Sequence, residues 1–328
     1  MAPAFYSPYR WLSPGGTRGR LTIFIFHRVM PQHDPMLPDE PDSERFDRIA
    51  RFLASYFDVM TVGEAARRLE AGKLPAAAAA ITFDDGYADN LRIAAPILKR
   101  HGLVATFFIA TGYTDGGRMW NDSLVEAMRI VPKGEFDCSE FGLGQYLIDD
   151  RGGSRLRAFH ELRSQLKYRK LSERSRISDE IAARAGLARG SDLMMTRAEL
   201  VELKNMGMEI GGHTVMHPIL ASMEESGAAA EIGDGRAQLA EWLGEAPEVF
   251  AYPNGSPGKD YTQRDVELVR KAGYRAAVSV KRGCAGPAAD PFQLPRFTPW
   301  DSSMLWFGLR CAADMIESAG VIPFRQGE

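Results

Sequence analysis

The chain has 328 residues, 45% hydrophobic and 25% charged, with a net charge of -3, which allows a full core under an ordinary polar surface. With no basic excess, nothing points to a nucleic-acid partner held by phosphate contacts, and the basic stretch 151–170 reads as solvated helix faces. Cys138, Cys284 and Cys311 are far apart and in no CxxC pair, which argues against a disulfide framework or a thiolate zinc site. The first twenty residues lack an apolar core of signal-peptide length and no run reaches a membrane span, so the expectation is a cytoplasmic protein with no transmembrane segment.

In chain order, apolar runs rich in β-formers alternate with helix-like segments, the rhythm of a parallel β/α architecture. Leu21–Phe26 reads as a strand ending at His27, followed by a helix over 46–56. A weaker run at 57–61 leads into a helix over 62–71. The run 77–83 reaches Asp84 and Asp85 and is followed by a helix over 88–101, in which Leu91, Ala94, Ala95 and Leu98 form one apolar stripe. Residues 104–110 are continuously apolar, as expected of a strand covered on both faces.

Residues 116–192 break the rhythm, being mostly polar and helical, and read as an insertion. It resumes at Thr196, where Thr-Arg-Ala-Glu reads as a capping box and Gly207 as the stop. A strand over 208–210 then delivers Gly211, Gly212 and His213. Helix 228–243 leads to strand 249–252, helix 264–272 to strand 274–280, and a short run over 292–297 can close the array.

The predicted fold is α/β, a distorted (β/α) barrel of about seven strands, complete or incomplete, with a helical insertion; an open doubly wound sheet is the alternative. The divisions are an N-terminal extension 1–20, a barrel domain 21–300 that includes the insertion 116–192, and a helical tail 301–328.

In such a barrel the reactive groups gather where strands end and βα loops begin. His27, Asp84, Asp85, His213, His217, Asn254 and Arg296 all fall at or just past a predicted strand's C-terminal end. Two imidazoles four residues apart reach one ion if the backbone between them turns helically, and a carboxylate completes a three-ligand set with a position left for water. A turn at Gly86 can aim both aspartates into one pocket.

Thr82-Phe83-Asp84-Asp85-Gly86 and His213-Thr214-Val215-Met216-His217-Pro218 resemble the signatures of the NodB-type polysaccharide deacetylases, carbohydrate esterase family 4. Phe24–Val29 and the run from Phe250 to Gly255 support the likeness, which covers about 21–98 and 193–297. The resemblance implies Asp85, His213 and His217 as metal ligands and Asp84 as general base. Donor chemistry favours zinc, with cobalt, nickel or iron as alternatives.

The resemblance also implies an oxyanion contact in the loop from Tyr252 to Gly255, with Asn254 as candidate. Two departures from the family pattern matter. Where many members carry an arginine that steadies the base, this sequence has Ala251, and Arg296 can replace it or be a structural ion pair. No histidine follows His217, so the usual late general acid is missing. His27 fits the first-strand histidine of some relatives, or is a core residue, while His33, His101 and His160 lie outside the motifs. Trp120, with Asn121 and Asp122, is a candidate sugar contact or an anchor for the insertion, and Trp300 and Asp301 share that ambiguity.

The implied function is metal-dependent removal of N-acetyl groups from an N-acetylated polysaccharide, oligosaccharide or lipid-linked sugar precursor. The alternatives are hydrolysis of a small cyclic amide on the same site, and a non-catalytic carbohydrate-binding relative.

Overall fold

Strand β1 (Leu21–Phe26) is buried at all six positions, as is β3 (Ala78–Phe83), which absorbs most of the five-alanine run. Such strands are buried on both faces and belong in a parallel sheet. A computed structural model describes residues 7–149, 153–188, 190, 192–299 and 303–318 of the chain. Trp300 and Asp301 lie outside the described residues.

All pairings in the main sheet are parallel. β1 runs along the whole of one edge of β3, from Leu21 opposite Ala78 to Phe26 opposite Phe83. The other edge of β3 forks. Its first half pairs with β2 (Asp58–Met60) and its second half with β4 (Thr106–Ile109), and Thr106 Oγ1 accepts the Val62 N–H at the fork.

Two antiparallel strands, β5 (Gly134–Asp137) and β6 (Gln145–Ile148), form a separate sheet. β7 (Glu209–Gly212), β8 (Val249–Ala251) and β9 (Ala276–Val278) complete the seven-stranded sheet in the order β1-β3-β4-β7-β8-β9. The run expected over 292–297 is not a strand. It makes isolated parallel bridges, Leu294 to Val278 and Phe297 to Phe24, so it joins the last strand to the first. Pro291 and Pro295 lack the N–H groups a continuous ladder needs. The architecture is a curled parallel sheet with helices, a distorted and incomplete (β/α) barrel.

Side-chain alternation divides each strand between two cores. Leu21, Ile23, Ala78, Ala80, Phe108, Val249, Ala251, Ala276, Val278 and Leu294 form one cluster. Phe24, Phe26, Ala79, Ile81, Phe83, Phe107 and Ile109 join the helices in another. The first is the sheet's concave interior, and continuing its rows by two residues leads from Ala78 through Ala80 and Thr82 to Asp84, and from Leu294 to Arg296.

The helix expected over 88–101 is altered at its start. Asn90–Ala94 is a π-turn, reached after a short helical start at Ala88 and Asp89, and Ala95–Arg100 continues as α-helix. Pro96 has no N–H to give to the Arg92 carbonyl and its ring crowds it, so the preceding turn widens. The capping box at Thr196 and Glu199 forms in both directions. At the N-terminus, the Tyr9 ring stacks on Phe57 at 4.7 Å and its hydroxyl donates to the Gly308 carbonyl in the helix Met304–Glu317.

The chain divides into two compact units, the second made of Asp34–Pro38 and Asp115–Met194. Its helices Trp120–Ile130, Ser154–Leu166 and Leu171–Arg184 surround a core that includes Leu124, Met128, Leu162 and Ile181. The β5–β6 hairpin was not expected in a segment read as helical; Phe136, Tyr146 and Ile148 are its buried positions. Among the described residues no helix is long and apolar enough to cross a membrane.

Candidate active site

Asp84 is the first residue beyond β3, and its N–H donates to the Phe26 carbonyl, prolonging the β1–β3 ladder by one bond. Its carboxylate faces Arg296, whose Nη1 and Nη2 donate to Oδ1 and Oδ2 at 2.7 and 2.8 Å. Arg296 Nε also donates to the Ser279 carbonyl, and Nη1 to Thr82 Oγ1. Burial pushes the Asp84 carboxyl up, but the Arg296 guanidinium and then His213 more than reverse this, leaving it below the usual carboxylate range.

An extended chain would turn Asp85 to the opposite side. Instead Asp85 has φ 78° and Gly86 φ 94°, two left-handed residues that reverse the chain, with Gly86 N–H donating to the Asp84 carbonyl. Glycine suits this turn for a second reason, because a Cβ at Gly86 would meet the Ile109 side chain at 3.2 Å. Asp85 Oδ1 thereby lies 3.4 Å from His213 Nε2 and 3.5 Å from His217 Nε2.

The three residues are buried and offer ligand atoms all within 4.8 Å of one another. Asp85 Oδ1 and His213 Nε2 have no hydrogen-bond partner among the described residues. Stranding buried polar atoms this way costs about 1–3 kcal/mol each unless something binds them. His213 Nδ1 donates to the Ala251 carbonyl at 2.7 Å, which fixes the ring so that the Nε2 lone pair is offered to the cluster. Burial lowers the His213 pKa, yet Asp85 and Asp84 together raise it. Two carboxylates against one guanidinium leave the pocket short of positive charge, and the donor set fits a divalent cation.

The segment joining the two histidines is not helical, as their spacing suggested. Thr214 and His217 both have left-handed backbones, φ 66° and 50°. Glu231 Oε2 accepts the N–H groups of Val215 and Met216 at 2.9 and 2.8 Å, and Thr214 Oγ1 accepts the His217 N–H. A side-chain cradle thus replaces the helical turn in bringing the imidazoles to 4.8 Å between centroids. With Asn254 at φ 60°, four non-glycine residues in these loops adopt a conformation that costs energy and is retained mainly at functional sites.

The other expected residues have mixed placements. His27 is half-buried beyond β1 and near enough for its charge to act on Asp84 and Asp85. The Asn254 N–H has no hydrogen-bond partner among the described residues, whereas Gly255 N–H donates to the Pro253 carbonyl. The Tyr252 ring is in the core, stacked on Tyr261 at 3.8 Å, with its hydroxyl given to the Phe292 carbonyl. Trp120 is buried in the second unit with the Arg174 guanidinium 4.7 Å from its ring centre. His101 pairs with Asp47, and His160 lies against Phe159.

Sequence reasoning missed Glu231, for which a helical glutamate gives no signal, and Thr214. It also missed Arg28, Asp89 and Asn90, all buried, although Asn90, four residues before Ala94, stands on the helix's apolar stripe as a polar interruption.

A family profile described as polysaccharide deacetylase matches residues 71–137 and 175–277. The Bacillus subtilis (strain 168) protein YxkH, assigned by name to the polysaccharide deacetylases, is 32% identical over 92 residues, 27% of this chain. The match spans about a third of that relative, 32% of its length.

Among solved structures, the deacetylase PplD of Streptococcus pyogenes, in complex with acetate, is similar at 20% identity, with 85% of this chain and 92% of that one covered and a TM-score of 0.57. IcaB from Ammonifex degensii aligns over 90% of this chain and 97% of its own at 19% identity and TM-score 0.58. A de-N-acetylase from Aggregatibacter actinomycetemcomitans gives 13% identity, 89% and 99% coverage and TM-score 0.56. These likenesses describe a shared fold.

Proposed function

Since this chain belongs to the polysaccharide deacetylase family, we propose that it removes N-acetyl groups from an N-acetylated polysaccharide, oligosaccharide or lipid-linked sugar precursor. In this reading Asp85, His213 and His217 hold a divalent metal, and two imidazoles with one carboxylate favour zinc. The ion's contribution is Lewis acidity, which eases the ionisation of water toward neutral pH.

The chain's own groups supply the rest. Asp84, kept ionised and oriented by Arg296, takes the proton of the attacking water as its oxygen bonds to the acetyl carbon. The Asn254 N–H donates to the carbonyl oxygen as it gains charge. When the C–N bond breaks, His27 gives a proton to the departing amine, and acetate is the second product. Tyr252 contributes to this loop through its packing, since its hydroxyl is committed to Phe292, and Trp120 takes the other reading, an anchor in the core of the second unit.

The observation that carries the reading is the separate fate of two adjacent aspartates. One is paired with a buried arginine, and the other is turned by left-handed backbone toward two imidazoles. The test is a substrate panel of N-acetylglucosamine oligomers, O-acetylated xylan and a cyclic amide, assayed with zinc-loaded protein. Release of acetate from the first supports the proposal, and turnover of the cyclic amide alone would replace it.

A further inference from the structure

Asp89 and Asn90 follow the aspartate motif on the first turn of the next helix, and both are buried. Their side chains are directed to a different loop. Asn90 Nδ2 donates to the His27 carbonyl at 2.9 Å and to Asp89 Oδ1 at 3.1 Å. Asp89 Oδ1 accepts the Val29 N–H at 3.1 Å, and Oδ2 accepts Arg28 Nε at 2.8 Å. The Arg28 guanidinium also lies 4.7 Å from the centre of the Tyr87 ring, and the Arg28 backbone N–H donates to Glu40 Oε2.

Three successive residues, His27, Arg28 and Val29, are therefore tied to the segment Tyr87, Asp89 and Asn90, which continues directly from Asp84 and Asp85. The sheet does not provide this tie, because the paired register of β1 and β3 ends at Phe26 and Phe83. Helix capping does not explain it either. Asp89 stands at the N-cap of the π-turn yet makes no side-chain cap bond, and both its oxygens serve the His27 loop.

We infer that Asp89 and Asn90 are positioning residues for His27, holding the loop of the general acid in register with the loop of the base and the metal ligand. The inference rests on the proposed role of His27 as acid. Its physical basis is that proton transfer requires the donor within hydrogen-bond reach of the departing nitrogen, and a misplacement of about 1 Å costs roughly 100-fold in rate.

The test compares an amide with an ester whose leaving group departs without protonation. Zinc-loaded wild type, His27→Ala, Asn90→Ala and Asp89→Asn are assayed on N-acetylglucosamine oligomers and on 4-nitrophenyl acetate, with melting temperature and zinc content recorded for each. The expected result is a fall of about 10–100-fold in kcat on the oligomers for Asn90→Ala and Asp89→Asn, with KM and ester hydrolysis within about 3-fold of wild type. His27→Ala should show the same split, at least as large.

If His27→Ala shows the split but the Asn90 and Asp89 variants keep full amide activity, or lose both activities together, these residues do not position the acid. If His27→Ala shows no split, the acid assignment fails and this inference fails with it. Should Asp89→Asn not fold, Asn90→Ala decides the matter, because it leaves the Arg28–Asp89 pair in place.

Discussion

Replacing Arg296 with methionine would remove the bidentate partner of Asp84 while filling much of the same volume. Arg296 is 1% and Asp84 3% exposed, so water cannot take over the lost contacts. Removing one partner of such a pair strands a buried charge and costs about 3–5 kcal/mol. For a chain of this length, unfolding entropy scaled per residue converts that to a drop of about 4–7 °C in Tm. Differential scanning calorimetry on Arg296→Met, on Asp84→Leu and on the double variant measures it. The double variant should recover most of the loss, because an apolar pair in place of a buried ion pair is often neutral or stabilising. A double variant no more stable than Arg296→Met would show that the guanidinium acts through packing and its bonds to Ser279 and Thr82, and the charge argument would be wrong.

Three further outcomes are expected. Chelation should abolish activity, with zinc restoring it at one equivalent per chain, and His213→Gln should lower the zinc retained after dialysis by at least 10-fold. Glu231→Ala should weaken zinc binding by about 10–100-fold in a competition titration, since the Val215 and Met216 N–H groups lose their acceptor, while Glu231→Gln, which keeps an acceptor oxygen, should stay close to wild type. Asp47 is held below the ordinary carboxylate value by hydrogen bonds from Arg100 and then His101. A depressed folded pKa gives stability that is present above the unfolded value of about 3.9 and lost as pH falls through the folded one. Asp47→Asn should therefore lower stability by less than about 1 kcal/mol at pH 7, discounted for exposure, with the difference vanishing in the acid arm of a Tm-against-pH series.

The candidate site residues were legible because they stand where strands stop. His27, Asp84 and His213 each follow a strand directly, and the alternation of side chains along β3 places Asp84 on the concave side without further information. What was not legible depended on partners far away in the chain. The Asp84–Arg296 contact joins positions 212 residues apart; only the family resemblance offered Arg296 as the partner of Asp84, with a structural ion pair as the alternative, and periodicity alone placed Arg296 at a rim without choosing its partner. The shape of the segment between His213 and His217 depends on Glu231, a residue in the following helix, so the spacing of two histidines suggested a helical turn that does not form. The π-turn at Asn90–Ala94 had a local cause in Pro96, which the apolar stripe concealed. The β5–β6 hairpin stayed hidden because its strands are four residues long and bury only alternate positions within a polar segment.

The most direct test of the account is acetate release from N-acetylglucosamine oligomers by zinc-loaded wild type beside zinc-loaded Asp84→Asn. The account predicts steady acetate production by the wild type and a loss of at least 100-fold in the variant, with its zinc content unchanged, as expected for removal of a general base. Equal acetate production by the two proteins would contradict the assignment of Asp84, and no acetate from a fully zinc-loaded wild type would contradict the proposed reaction itself.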